Sequence, residues 1–433
     1  MAIASPNTGT STAVSSPGQS YGAPLATVTT LFFMWGFLTC LNDILVPHLK
    51  SIFDLNYAKS QLIQFAFFGA YAIFSIPSAK IIDGIGYQRS MVAGLLTMGL
   101  GAFLFVPAAS AASYPLFLGA LIVLAAGITC LQVAANPYVS VLGKPETASS
   151  RLNLTQAFNS LGTFLAPFFG GLFILTEPRN MEEIRALAPD ALQAYRLHEA
   201  ATVKTPYVGL GITLVLLAIA IGSFKLPKIA HAQHQLGEKV SDSIWRHPNL
   251  IFGAIAIFVY VGAEVSIGSF LVNYFSQPDI GALPPKIAAR FVAFYWGGAM
   301  VGRFIGSALL QKVKTGGLLA LCAICAAGLV GTSMLTSGHL AMYSIILVGL
   351  FNSIMFPSIF TLGIAELGPL TGDGSGIMIM AIVGGAIIPL AQGWIADQIG
   401  IHHAFFLPVI CYLYILFFAL SGSKPNSERY AKA

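Results

Sequence analysis

Stretches of about 20 apolar residues recur along the whole chain, each long enough to cross the roughly 30 Å hydrocarbon core of a bilayer as one helix. This repeat constrains the fold more than any motif, because backbone polar groups inside hydrocarbon must be satisfied within the chain. Composition agrees. Of 433 residues, 56% are hydrophobic and 9% charged, against roughly a quarter charged in ordinary soluble domains, and the mean hydropathy is +0.77. The 44 glycines and 23 prolines are spread through the apolar blocks, which suits membrane helices, where small residues permit close packing and proline kinks are tolerated. The chain reads as an all-α, polytopic membrane protein.

Twelve spans are expected, at 25–48, 60–82, 90–108, 114–142, 152–176, 207–226, 250–275, 288–311, 316–337, 340–365, 374–397 and 403–422. Residues 1–24 are rich in Ser, Thr, Gly and Pro and lack an apolar core, so they read as a disordered cytoplasmic tail and not a signal peptide. The polar stretch 227–249 reads as a cytoplasmic linker between an N-terminal six-helix half, 25–226, and a C-terminal half, 250–422. A short cytoplasmic tail, 423–433, follows. With both termini inside, about 14 of the 22 Lys and Arg residues fall on the cytoplasmic side, among them Lys80, Arg89, Lys144, Lys225 and Lys312. Four of the others lie in the long outer loop 177–206, which the positive-inside rule discounts. Both ends are therefore placed in the cytoplasm. Within that loop, "NMEEIRALAPDALQAYRL" has the pattern of a short amphipathic helix.

The two halves echo each other. "LQVAANPYVSVLG" in the fourth span and "LFNSIMFPSIFTLG" in the tenth each place an amide five residues before a proline: Gln132 before Pro137, Asn352 before Pro357. "GTFLAPFFGG" and "GAIIPLAQGW" pair the fifth and eleventh spans. Such weak internal similarity is what a duplicated six-helix transporter shows. The expected architecture is twelve transmembrane helices in two pseudo-symmetric six-helix halves.

Two of the 17 acids lie inside spans. Asp43 is in the outer half of the first, within "FFMWGFLTCLNDILVPHL", and Glu264 is near the middle of the seventh, within "FVYVGAEVSIGSFLVNYF". A charged acid at a central helix position costs roughly 2.5–3.5 kcal/mol on insertion scales, so it marks a functional site by default. The alternative is a protonated carboxyl hydrogen-bonded between helices. Amides gather in the spans too: Asn42, Gln64, Gln132, Asn136, Asn273 and Asn352, with Gln156 and Asn159 three apart and so sharing a helix face. Amides offer neutral donors and acceptors suited to sugar hydroxyls, and Trp35, Phe37, Tyr71, Tyr295 or Trp296 offer faces for stacking. Each amide alone reads more readily as interhelical glue; it is their convergence that points to a binding cavity. The eight His residues show no metal-ligand spacing, and Cys322-x-x-Cys325 lies in an apolar segment without the further ligands zinc requires. No nucleophile–base–orienter set and no Gly-x-x-x-x-Gly-Lys-Ser/Thr loop is present, which argues against an enzyme, a nucleotide-driven pump or any cofactor. The net charge of +5 fits membrane topology and not a nucleic-acid partner.

On "WGFLTCLNDILVPHL", "LQVAANPYVSVLG", "RLNLTQAFNSLGTFLAP", "YVGAEVSIGSFLVNYF" and "MAIVGGAIIPLAQGWIAD" the chain resembles the major facilitator superfamily, within its fucose–galactose–glucose symporter group, over nearly all of 25–422. The superfamily's loop between spans two and three, Gly-x-x-x-Asp-Arg-x-Gly-Arg-Arg in outline, is kept in "AKIIDGIGYQR" only at Asp83, Gly86 and Arg89. Its second-half echo is "GRFIGS" with Arg303. The resemblance implies that Asp83, Arg89 and Arg303 are conformational latches, that Asp43 is a coupling acid, and that Gln156 and Asn159 are sugar ligands. Where the group's fucose:proton symporter carries a second functional acid, this chain has Gln132, which cannot titrate and looks like the glucose/galactose branch. Glu264 is a candidate replacement. The expected function is a cation-coupled hexose symporter in the cell's inner membrane, working by alternating access, with H⁺ favoured over Na⁺. Its sugar would meet Asn42, Gln64, Gln132, Asn136, Gln156, Asn159, Asn352 and Trp296. A uniporter or exporter of another small polar solute is the first alternative, and a non-transporting sugar sensor the second.

Overall fold

The computed structural model describes the backbone of residues 21–53, 57–173, 187–227 and 243–425; the side chains of 41–52, 57–62, 64 and 167–173 lie outside that description. Residues 1–20 of the expected tail 1–24, most of the linker 227–249 and most of the tail 423–433 therefore fall outside the described residues. Helix α1 (Gly22–Phe53) begins within the expected N-terminal tail.

Every extended element described is a helix. After α1 come α2 (Tyr57–Ser110), α3 (Tyr114–Val141), α4 (Ala148–Phe173), α5 (Pro189–Ala201) and α6 (Lys204–Ser223). Then follow α7 (Pro248–Phe275), α8 (Pro285–Leu309), α9 (Thr315–Leu335), α10 (Gly338–Asn352), α11 (Met355–Gly363), α12 (Thr371–Met380), α13 (Gly384–Ile399), α14 (Ile401–Ala404) and α15 (Phe406–Phe417). Among the described residues nine segments are long and apolar enough to cross a membrane, and one of them, Phe65–Ser110, is 46 residues long. It holds two crossings, because α2 is broken at Gly86 (φ 82°, ψ 166°), a conformation that costs a Cβ-bearing residue dearly. Helices α4 and α8 have membrane length but more polar faces, which accounts for the remaining two of twelve. The amphipathic segment expected in the outer loop is present in part as α5, which packs on α1 and α2.

Small residues set the helix spacing. Helices α1 and α4 touch so closely that a Cβ at Gly36 would lie 2.1 Å from Asn159 O, and one at Gly162 would lie 2.2 Å from Phe33 O. The corresponding pair in the other half, α7 and α13, meets in the same way: a Cβ at Gly384 would lie 2.0 Å from Phe258 O. Helix association in lipid lacks a hydrophobic drive, so contacts of this kind supply van der Waals energy that bulkier residues would prevent. Gly36→Val should therefore cost at least about 1–3 kcal/mol by overpacking, read as a lower unfolding temperature in detergent. Gly119→Val, where nothing lies within 4 Å, should leave that temperature unchanged.

Candidate functional site

The site is organised by two prolines. Pro137 lies inside α3 and cannot donate to the carbonyl four residues back, Val133 O. The orphaned oxygen accepts a 2.8 Å hydrogen bond from Ser375 Oγ of α12. Pro357 does the same to Ser353 O, at the break between α10 and α11, and Arg303 Nε of α8 donates to that oxygen at 3.3 Å. Freed carbonyls at membrane depth require such partners.

The residue before each freed carbonyl is one of the two matched amides. Gln132 Nε2 donates to Tyr71 Oη of α2 at 2.8 Å, and Asn352 Nδ2 donates to Tyr295 Oη of α8, also at 2.8 Å. The sequence echo is thus reproduced as an equivalent amide–phenol pair in each half. In the second half the pair extends further. Tyr412 Oη donates to Asn352 Oδ1 at 2.8 Å, and Tyr295 Oη donates to Glu264 O at 3.2 Å. Tyr260 Oη lies 2.8 Å from Glu264 Oε1 and 3.1 Å from Asn352 O, its one proton shared between them. Tyr260, Tyr295, Tyr412 and Asn352 are all essentially inaccessible, while Glu264 is half-buried. Arg303 acts electrostatically on Glu264.

The expected sugar ligands divide on inspection. Asn352 is an interhelical hub: both side-chain polar atoms are taken and it has no exposed surface, so its geometry departs from the expected ligand role. Asn159 Nδ2 donates to Phe32 O at 2.9 Å and ties α4 to α1, leaving a half-buried carbonyl oxygen. Gln156 is buried on the same face, without a side-chain hydrogen bond among the described residues. Asn136, one turn from Gln132, is fully buried with both amide atoms unpaired. Trp296 is exposed and lies over Gly268, one turn from Glu264 on α7. The side chains of Asn42, Asp43 and Gln64 lie outside the described residues.

The three expected latches also separate. A Cβ at Gly372 would come within 3.2 Å of Asp83 Oδ1, so this carboxylate abuts the first turn of α12, where a helix dipole favours negative charge. Arg303 Nη1 bonds Ser160 Oγ of α4, joining the halves. Arg89 is exposed and has no partner among the described residues, so it takes no part in these contacts. Further bonds close the same end of the bundle, the one predicted to face the cytoplasm. Ser150 and Ser307 bond each other's carbonyls at 2.7 and 3.3 Å, Asn153 Nδ2 donates to Arg303 O at 2.6 Å, and Ser149 pairs with Thr361 at 2.6 Å.

Sequence reasoning missed Tyr260, Tyr412 and Gln392. Tyr260 is four residues before Glu264, a helical spacing that was available as a signal. Tyr412 had no signal, because its partner is distant in sequence. Gln392 is fully buried with both amide atoms unpaired, as is the Ser266 hydroxyl. Tyr412→Phe leaves Asn352 Oδ1 buried without its donor, a cost of about 1–3 kcal/mol. The loss should appear in thermal unfolding and be less than additive with Tyr295→Phe, because both act on Asn352.

Comparison with known proteins places these features. The sequence model of the Major Facilitator Superfamily matches residues 27–382. The chain is 53% identical to a glucose/galactose transporter of Brucella abortus biovar 1 (strain 9-941), over 94% of this chain and 95% of the relative. Among solved structures it is similar to a variant of the Escherichia coli fucose:proton symporter FucP, with a TM-score of 0.87 and 32% identity, covering 94% of this chain and all of that one. A second structure of FucP, in the outward conformation, gives a TM-score of 0.85 at 33% identity with the same coverage. With its twelve-helix fold and a family match over most of its length, the chain belongs to the Major Facilitator Superfamily and is a multi-pass membrane transporter, not an enzyme.

Proposed function

We propose that this protein is a proton-coupled hexose symporter that carries a glucose- or galactose-like sugar by alternating access. The observation that carries the reading is the matched pair of buried amide–phenol contacts, Gln132–Tyr71 and Asn352–Tyr295, one in each half. Each pair holds a neutral amide against a phenol between helices of its own half, and in the second half the same network reaches the carboxylate of Glu264. Neutral amides suit sugar hydroxyls because they exchange hydrogen bonds with water for hydrogen bonds with protein without burying charge. The names of the relatives, a glucose/galactose transporter and a fucose:proton symporter, support both the substrate class and the ion.

In this reading Gln132, Asn136, Gln156 and the free carbonyl of Asn159 meet the sugar, together with Asn42 and Gln64, and Trp296 stacks on it. Asp43 is the coupling acid, and Glu264 is a second protonatable group whose charge Arg303 offsets. Protonation of both acids permits the halves to rock; one pKa unit of difference between the two states supplies about 1.4 kcal/mol of coupling. Asp83 at α12 and Arg303 at Ser160 hold the cytoplasmic end closed. The distribution of Lys and Arg supports cytoplasmic termini, and the bacterial relatives support the inner membrane as location. A second reading, a hexose uniporter, is favoured by one observation: the non-titrating Gln132 at the position where the group's fucose symporter has an acid.

The test is uptake of radiolabelled glucose and galactose into proteoliposomes under an imposed proton gradient, with Asp43→Asn and Glu264→Gln beside wild type. Symport predicts concentrative uptake that Asp43→Asn abolishes while counterflow exchange survives, and a smaller loss in Glu264→Gln. Purely downhill movement, unaffected by Asp43→Asn, would establish the uniporter instead.

A further inference from the structure

Two consecutive backbone carbonyls mark the break between α10 and α11. Asn352 is the last residue of α10, and the final carbonyls of a helix lack intrahelical partners. Ser353 O, the next, is the oxygen that Pro357 leaves without a helical donor. Each is met by a side chain of another helix: Tyr260 Oη of α7 reaches Asn352 O at 3.1 Å, and Arg303 Nε of α8 reaches Ser353 O at 3.3 Å. The same two side chains face Glu264. Tyr260 Oη lies 2.8 Å from Glu264 Oε1, and Arg303 acts on the carboxylate electrostatically. Two further titratable groups stand around this acid. Tyr295 Oη of α8 donates to Glu264 O at 3.2 Å, and Tyr412 of α15 feels the charge of the carboxylate.

Arg303 is tied down by Ser353 O and by Ser160 Oγ of the opposite half, so it faces Glu264 from a fixed place. The phenolic hydrogen of Tyr260 is free to turn between its two acceptors, and counting hydrogens sets the direction. An ionised carboxylate only accepts. Tyr260 then gives its single O–H to Glu264 Oε1, and Asn352 O stays buried without that donor. A protonated carboxyl donates as well. Its O–H goes to Tyr260 Oη, and the phenol's own O–H turns to Asn352 O. Tyr260 neither gains nor loses a proton in the exchange; the added proton rests on Glu264, which keeps part of its surface open for proton entry.

We propose that Tyr260 is a positioning residue that carries the protonation of Glu264 to the α10–α11 break. With the acid protonated, Asn352 O gains its donor and the break is held firm, so α10 and α11 move as one body when the halves rock. With the acid ionised, the phenol is drawn away and the break loosens. This inference rests on the reading of Glu264 as a protonatable group, and it does not depend on which sugar is carried.

The experiment uses the full-length protein in nanodiscs without sugar and follows two signals as pH is varied. Infrared spectroscopy tracks the protonated-carboxyl band of Glu264, identified by its absence in Glu264→Gln. Hydrogen exchange of the segment 352–357, corrected for the pH dependence of intrinsic exchange, tracks the break. In wild type the segment should exchange roughly fivefold more slowly at the acid end, the ratio that one net hydrogen bond sustains, with the midpoint of the infrared band. Glu264→Gln, whose amide can donate to Tyr260 as the protonated acid does, should exchange slowly at every pH. Tyr260→Phe should exchange fast at every pH while its carboxyl still titrates, with thermal unfolding confirming that both variants are folded. Exchange in wild type that ignores the titration of Glu264 would overturn the proposal and leave the acid protonatable. So would a Tyr260→Phe variant that keeps the fivefold response. Absence of any titrating band would overturn the proposal together with the reading of Glu264 on which it rests.

Discussion

In hydrocarbon no backbone carbonyl can be left without a donor, and two prolines in this chain each deprive one carbonyl of its helical partner. The way those two oxygens are satisfied organises the centre of the molecule. Val133 O is reached by Ser375 from the opposite half. Ser353 O is reached by Arg303, whose guanidinium also bonds Ser160 in the opposite half. Helix breaks that would be defects in a soluble domain become the points at which the halves are tied together. The amides immediately before them, Gln132 and Asn352, are turned onto tyrosines of neighbouring helices.

The two halves share this plan but elaborate it unequally. In the first, the Gln132–Tyr71 pair stands one turn from Asn136, whose amide atoms make no hydrogen bond among the described residues. Free polar groups at that depth are expensive unless a ligand or water meets them. In the second, Tyr260, Tyr295 and Tyr412 saturate Asn352 and reach Glu264. A saturated network is rigid, and a partly open one can receive substrate. The asymmetry leaves unpaired amide atoms in the first half and a closed phenol–amide–carboxylate network in the second.

Closure of one end by Ser149, Ser150, Asn153, Ser160 and Ser375 relies mostly on small hydroxyl residues, each contributing one modest bond between halves. Neutral hydrogen bonds are worth about 0.5–1.5 kcal/mol net. A gate built from several such bonds is stable as a set, yet can be exchanged for water when the halves rock. Charged side chains join the halves at Asp83 against α12 and at Arg303, which bonds Ser160 and lies near Glu264. In the proposed cycle protonation of Asp43 and Glu264 shifts the balance between states, and these charged contacts are made or released with it.

Much of the architecture was legible in the sequence. Apolar length determined the number and approximate bounds of the spans, because a helix crossing a bilayer has little freedom in how long it can be. The spacing of Gln132 from Pro137 and of Asn352 from Pro357 revealed the repeat, and the same local chemistry produced the same contact in both halves. Glu264 stood out because an acid inside a span is costly. What each amide does was not legible, since donors and acceptors look alike in sequence whether a ligand or another helix takes them. Tertiary structure alone showed that Asn352 is enclosed by three tyrosines from three other helices, that Asn159 is tied to Phe32, that Arg303 points across the molecule to Ser160, and that Arg89 stands apart from the latch. The physical reason is that burial in a membrane fixes local conformation through backbone hydrogen bonding within each helix, whereas side-chain partners are chosen by the packing of helices distant in the chain.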